Sequence, residues 1–158
     1  MRSVNLTTWT MRQDVRGTQM EEPMSFATLA RAKYVTITTF RRTGEPVSTP
    51  IWIVPDPDGQ KLYGFSGAGA GKIKRLGRNP SVRVAPCDMR GRPYGPAREG
   101  VGMVLPESEA GRIERLLNRK YPVAGRLLRW YGWLRGRKGR RAYFEIRFRD
   151  ETAARLIR

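Results

Sequence analysis

From Met1 to Pro23 apolar and polar residues follow no period, and the stretch reads as a disordered extension ahead of a single domain, residues 24–158. Met20 and Met24 are both alternative starts. Pattern begins at "SFATLARA", where Ser25 caps a short helix with Phe26, Leu29 and Ala30 on one side. "KYVTITTFRR" sets Tyr34, Thr36, Thr38 and Phe40 on one face and Val35, Ile37 and Thr39 on the other, the alternation of a strand. Thr43-Gly44 turns the chain into "PVSTPIWIV", and Pro55 to Gly59 turns it again into "QKLYGFS", so these strands form a meander. A basic helix follows Gly71 and ends between Gly77 and Pro80. "SVRVAP" and "AREGVGMVL" are strands separated by the long loop Cys87 to Pro96. "PESEAGRIERLLNRKYP" opens with a proline and acids in the first turn and carries Ile113, Leu116 and Leu117 inward, as a helix does. "RRAYFEIRF" closes with Ala142, Phe144, Ile146 and Phe148 opposite Tyr143, Glu145 and Arg147.

Six short, mostly antiparallel strands with two or three helices predict a mainly β, α+β protein built as a small barrel. Tight turns between strands exclude a doubly wound parallel sheet. Pro50 cannot donate to a ladder, so its strand lies at an edge or carries a bulge, leaving backbone groups free for a flat ligand or simply for solvent.

Composition narrows the chemistry. The chain has no histidine and one cysteine, Cys87, which removes His-based triads, thiolate–imidazole metal cages and any disulfide within the chain. A reducing cytoplasm fits. With 31 Lys and Arg against 14 Asp and Glu, the net charge is +17. Such a field attracts nucleic acid, anionic lipid or a phosphorylated, carboxylated ligand, and does not choose among them.

The stretch "YGFSGAGAGKIKRLGRNPSV", Tyr63 to Val82, asks whether a phosphate is held there. A P-loop needs its first glycine at Ser66 and its hydroxyl at Ile73, and both positions fail. The dinucleotide fingerprint fits Gly67 and Gly69 and then falls on Lys72. A strand, a small-residue turn and a basic helix start remain. Such a start binds anions through its free N–H groups, with Lys72, Lys74 and Arg75 adding charge, or is a solvated basic turn.

"AKYVTITTFRRTGEPVSTPIWIV", the run from Ser66 through Asn79-Pro80 to Cys87-Asp88, and "YFEIRF" resemble the pyridoxamine-phosphate-oxidase-like split β-barrel of FMN-binding type, over Phe26 to Phe148. More closely, they resemble its actinobacterial branch of F420-dependent oxidoreductases. The resemblance implies that Ser66, Lys72, Lys74 and Arg75 meet the cofactor phosphodiester, that Val47, Ser48, Thr49 and Pro50 run along the ring, and that Pro86 and Cys87 lie near it. It also implies a cytoplasmic homodimer and hydride transfer between the deazaflavin F420 and a small enone- or quinone-like acceptor. FMN or haem binding on the same fold, and a basic nucleic-acid-binding barrel, are the alternatives. No catalytic side chain and no metal ligand is nominated; Tyr94 is a donor on the substrate side or a packing residue. The basic and aromatic segment 123–139, "VAGRLLRWYGWLRGRKG", exceeds what a barrel needs and reads as a lid, a binder of the cofactor's acidic tail, a peripheral membrane contact, a contact for single-stranded nucleic acid, or an ordinary packed helix.

Overall fold

The computed structural model describes residues 24–59, 61–123 and 140–148. The extension Met1–Pro23, and all of segment 123–139 except Val123, lie outside the described residues. Ser25 caps α1 (Phe26–Arg31), its Oγ accepting the Thr28 N–H at 3.2 Å. Strands β1 (Tyr34–Phe40) and β2 (Pro46–Ile51) form one hairpin, and β3 (Ile53–Pro55) and β4 (Lys61–Gly67) another. Gly44 and Gly59 turn them at φ of 87° and 70°, values open to glycine at little cost. Then come α2 (Gly71–Arg78), β5 (Ser81–Cys87), β6 (Arg98–Val104), a 3-10 turn at Glu107–Glu109, α3 (Ala110–Lys120) and β7 (Arg141–Phe148).

The sheet is antiparallel throughout, in the order β2-β1-β5-β6-β7-β4-β3. Its two edge strands are consecutive in the chain, with only Trp52 between them. The sheet therefore curls until its edges meet at that residue, which is a barrel with one seam. Here the structure differs from the sequence reading. "PVSTPIWIV" is two strands rather than one, so seven strands replace six. Trp52 leaves the ladder and stacks on Tyr121, ring centroids 5.0 Å apart and 15° from parallel. The expected meander becomes two hairpins at opposite edges of the sheet. Pro50 does lie on an edge strand, since β2 pairs only with β1, and its register partner is Thr36.

Inside the barrel Val35, Ile37, Ile53, Leu62, Phe144 and Ile146 are almost fully buried, closed at one end by Leu29 of α1 and at the other by Leu76 of α2. Each such side chain contributes roughly 1.5–3 kcal/mol by leaving water. A second cluster lies outside the barrel. Ile113, Leu117 and Tyr121, on α3 and just after it, pack over Val54, Tyr63 and Tyr143. For that reason β7 is not the simple alternation its sequence shows. Tyr143 is buried under α3, and Glu145 is buried between Lys61 at 3.4 Å and Arg147 at 2.7 Å.

Polar bonds fasten α3. Arg112 donates to the Tyr63 hydroxyl at 3.1 Å, and that hydroxyl donates to Asp56 at 2.7 Å. Tyr143 donates to Glu114. At the far end Lys120 Nζ donates to the carbonyls of Ala30, Ala32 and Ile53 at 2.8, 2.9 and 3.0 Å, tying the end of α1 to the start of β3.

Candidate functional site

The seam opens in one direction from Trp52. β3 pairs with β4 from Pro55↔Leu62 to Ile53↔Gly64, so Phe65, Ser66 and Gly67 have a ladder only on their β7 side. β2 in turn has a ladder only toward β1. The two free edges are the lips of a split, and α2 packs across its end against β1, β4 and β6. Val47, Ser48, Thr49 and Pro50 form one lip and Ser66 stands on the other. Along β2, Ser48 and Pro50 are exposed while Val47 and Thr49 are half-buried. Ser48 shares a hydrogen bond with Thr38 at 2.7 Å. The Thr49 hydroxyl is buried and has no hydrogen-bond partner among the described residues.

Above this split the helix start is unusually bare. Ala70 caps α2 without a side-chain hydrogen bond, and its first turn holds no acid. Among the described residues no acceptor meets the N–H groups of Gly71 and Lys72. Gly67 and Gly69 do not have positive φ, and a Cβ at either would meet nothing within 4 Å. Among the described residues, neither backbone strain nor packing explains these two glycines. Lys72 is half-buried; burial and then the charge of Arg75 hold its ammonium below the usual lysine range. Arg75 Nε donates to the buried Thr39 hydroxyl at 2.7 Å, which lays the guanidinium back across Gly71. Lys74 is exposed to solvent. Among the described residues, the partnerless Thr49 hydroxyl, the free N–H groups, the open backbone and the Lys72 ammonium without an ion-pair partner fit a phosphate-bearing group.

Pro86 and Cys87 sit elsewhere, at the end of β5. Cys87 pairs with Tyr34, its thiol is buried, and burial pushes the thiol up. The loop that follows is pinned in place. Asp88 Oδ1 accepts the N–H groups of Arg90 and Arg92 at 2.8 and 2.9 Å, and Thr36 donates to the Gly91 carbonyl at 3.3 Å. Pro50 packs against Gly91 and so joins this loop to the lip formed by β2. The structure thus brings Val47–Pro50, Ser66, Lys72 and Arg75 to one split. It places Pro86 and Cys87 on β5, across β1 from the β2 lip, where Val35 is the register partner of both Pro86 and Ile51 and the Cys87 thiol is buried. Tyr94 is 67% exposed, its N–H bonded to the Pro86 carbonyl at 3.0 Å.

The sequence matches the pyridoxamine 5′-phosphate oxidase family over residues 23–151. The chain belongs to this family. No curated protein matches it. Among solved structures it is similar to the conserved hypothetical protein Rv2991 of Mycobacterium tuberculosis, with 23% identity over 83% of this chain and 84% of that one and a TM-score of 0.57. It is similar to HutZ, the haem storage protein of Vibrio cholerae, at 12% identity over 78% and 87% of the two chains, TM-score 0.57. It is also similar to an F420 reductase, at 19% identity over 80% and 95%, TM-score 0.51. The chain spans half the length of another match, Atu2129 of Agrobacterium tumefaciens. At these identities the likeness speaks to the fold alone.

Within this member of the pyridoxamine 5′-phosphate oxidase family, the sequence had not pointed to several neighbours of the split. The Arg140 carbonyl accepts the Ala68 N–H at 2.8 Å, and Arg141 pairs with Gly67 and lies over the Phe65 ring at 5.1 Å. Only the β4–β7 pairing brings these arginines to the loop, and no local pattern reveals a pairing between strands so far apart in sequence. Thr39, the anchor of Arg75, looked like one more buried β-branched residue. Among the described residues no three His, Cys, Asp or Glu side chains gather as a metal site.

Proposed function

We propose that the protein is an oxidoreductase that transfers a hydride between the deazaflavin coenzyme F420 and a small enone- or quinone-like acceptor. The observation that carries this reading is the bare cationic start of α2 above the open split. The match to an F420 reductase adds support. F420 when bound supplies the hydride, a two-electron step for which no side-chain nucleophile is needed. In this reading the N–H groups of Gly71 and Lys72 and the Lys72 ammonium hold the phosphodiester. Arg75, fixed by Thr39, adds charge without moving. The free edge at Val47–Pro50 offers backbone groups to the polar rim of the ring, and the Thr49 hydroxyl gains the partner it lacks. Tyr94 faces the acceptor. Two copies form the working unit, acting in the cytoplasm. Among the described residues no helix is long and apolar enough to cross a membrane.

The test is turnover. Reduced F420 mixed with quinones or enones should regain its oxidised absorption only when protein is present. If no acceptor in a broad panel gives protein-dependent oxidation, and none of the reduced products drives the reverse reaction, the proposal fails. The same fold also suits FMN or haem held without turnover, as the likeness to a haem storage protein suggests. A yellow or red protein as purified favours that reading. Salt-sensitive oligonucleotide binding in the absence of deazaflavin affinity would favour a nucleic-acid role.

A further inference from the structure

β5 ends at Cys87, beside Tyr34 at the start of β1, and the chain makes a tight turn there. The Gly91 N–H closes the turn on the Asp88 carbonyl at 3.0 Å, and the Asp88 N–H donates to the Arg92 carbonyl at 3.0 Å. Met89 and Arg90 are therefore its tip. Turn positions ordinarily go to Gly, Pro, Asn, Asp or Ser, each for a backbone reason. Methionine brings no such reason, yet Met89 stands at the tip and is 71% exposed. The turn is held firmly: Asp88 Oδ1 accepts the Arg90 and Arg92 N–H groups, Thr36 donates to the Gly91 carbonyl, and Gly91, at a φ of 82°, packs on Pro50. Further along the same loop Tyr94 is also exposed, with its N–H bonded to the Pro86 carbonyl. A fixed loop thus holds two large side chains out in water, an unfavourable arrangement for apolar surface unless something covers it. Among the described residues nothing does.

Cations stand around them. Arg90 and Arg92 are on the loop itself, Lys33 precedes Tyr34 across the β1–β5 pairing, and Arg31 lies in the last turn of α1; all four are exposed. Asp88, the acid of the loop, is engaged by Arg92 at 3.0 Å and by the two backbone N–H groups. A nucleic acid would use these cations and leave Met89 in water. A lipid surface uses both kinds of group. Apolar tips enter between the headgroups, a tyrosine ring sits at headgroup level, and cations pair with anionic phosphates. The net charge of +17 draws the whole chain toward such a surface, and this end of the barrel supplies the apolar tips that fix its orientation there.

We infer that the turn Asp88–Gly91, together with Tyr94, Arg31 and Lys33, lies against an anionic lipid surface. The contact needs no cofactor, so it stands or falls apart from the proposed reaction. The experiment is flotation of the full chain with vesicles of equal parts phosphatidylglycerol and phosphatidylcholine, beside vesicles of phosphatidylcholine alone, for wild type, Met89→Asp, Arg90→Ala and Arg78→Ala. Aspartate is at home in a turn, and thermal melting by circular dichroism verifies that each variant folds. Wild type should float with the anionic vesicles and stay behind with the neutral ones. Met89→Asp should weaken partitioning by about tenfold or more, the weight of one apolar side chain taken out of water. Arg90→Ala should weaken it by roughly fivefold, the weight of one cation at such a surface. Arg78→Ala removes the same charge from the end of α2, the helix that Arg75 fastens to Thr39 near the other end of β1, and should change little. A wild type that stays behind, or a folded Met89→Asp that floats as wild type does, would overturn the inference. Equal losses from Arg90→Ala and Arg78→Ala would overturn it too, since net charge alone would then be the attraction. So would binding to single-stranded oligonucleotides without affinity for the anionic vesicles.

Discussion

Two sets of glycines in this protein predict opposite behaviour. Gly100 is required by packing: a Cβ there would lie 2.7 Å from the Arg147 carbonyl oxygen, 3.2 Å from Phe148 and 3.3 Å from Ile146. The first of these is backbone in the neighbouring strand, so it cannot swing aside without parting β6 from β7. Gly100→Ala should therefore cost about 2–3 kcal/mol, the upper range for overpacking, and lower Tm by roughly 5–10 °C for a domain of this size. Gly69 is required by no packing among the described residues, since a Cβ there meets none of their atoms within 4 Å. Gly69→Ala should leave Tm unchanged or raise it slightly, because alanine narrows the unfolded ensemble by about 0.4–1 kcal/mol. If a phosphate approaches this backbone, however, the added methyl displaces it. Losing one hydrogen bond to a charged group, worth about 1.5–3 kcal/mol, weakens binding by roughly tenfold or more. Paired thermal melts and F420 titrations on the two variants give the comparison. A Gly69→Ala protein that binds F420 as tightly as wild type would refute the view that the glycines are kept for a ligand. A Gly100→Ala protein with unchanged Tm would refute the packing argument.

Lys120→Met should leave the carbonyls of Ala30, Ala32 and Ile53 without their shared donor, at a cost of about 2–3 kcal/mol measured by denaturant unfolding; an unchanged midpoint would mean water replaces the ammonium. Burial pushes the Tyr121 and Tyr143 phenols from 10.0 up to about 12, and the Glu114 carboxylate adds to the second. The unfolded chain thus loses these protons first, so stability present below pH 10 should fall as pH rises from 10 to 12. Tyr143→Phe should flatten that decline, and an identical slope in wild type and variant would contradict the assignment. Since Lys72 is held below the usual lysine range, F420 affinity should fall as pH is raised toward that lowered value, and Lys72→Arg should keep it to higher pH; parallel profiles would count against this role. A chain beginning at Met24 should melt and bind cofactor as the full chain does, which calorimetry and titration can check.

What could be read from the sequence was what is local. Ser25 announces its cap, Thr43-Gly44 its turn, and the alternation at Val35, Ile37 and Thr39 its inward face, because each depends on residues a few positions apart. Pro50 located an edge for the same reason, as its missing N–H is a property of one residue. The break at Trp52 was hidden because Ile51, Trp52, Ile53 and Val54 all favour a strand and carry no turn signal. Only the stack on Tyr121, from a distant helix, draws the indole out of the ladder. Burial of Tyr143 and Glu145 was equally hidden, since a second covered face depends on where α3 lands. At the split, the lysine and glycines of the loop were visible, while Thr39, Arg140 and Arg141 reach it only through long-range pairing. The expectation that Pro86 and Cys87 border the ring came from resemblance alone. The structure buries the thiol on β5, one strand away from the β2 lip, beside a loop that packs on Pro50.

The most direct measurement is a fluorescence titration of wild type and Lys72→Ala with F420, run beside FMN. If the start of α2 holds a cofactor phosphate and that cofactor is F420, wild type should bind F420 more tightly than FMN. The variant should then lose roughly one to two orders of magnitude in F420 affinity, the weight of a charge-assisted hydrogen bond. A deazaflavin precursor without the phosphate should bind both proteins alike. Equal F420 affinity in wild type and Lys72→Ala would contradict the account and leave the loop a solvated basic turn.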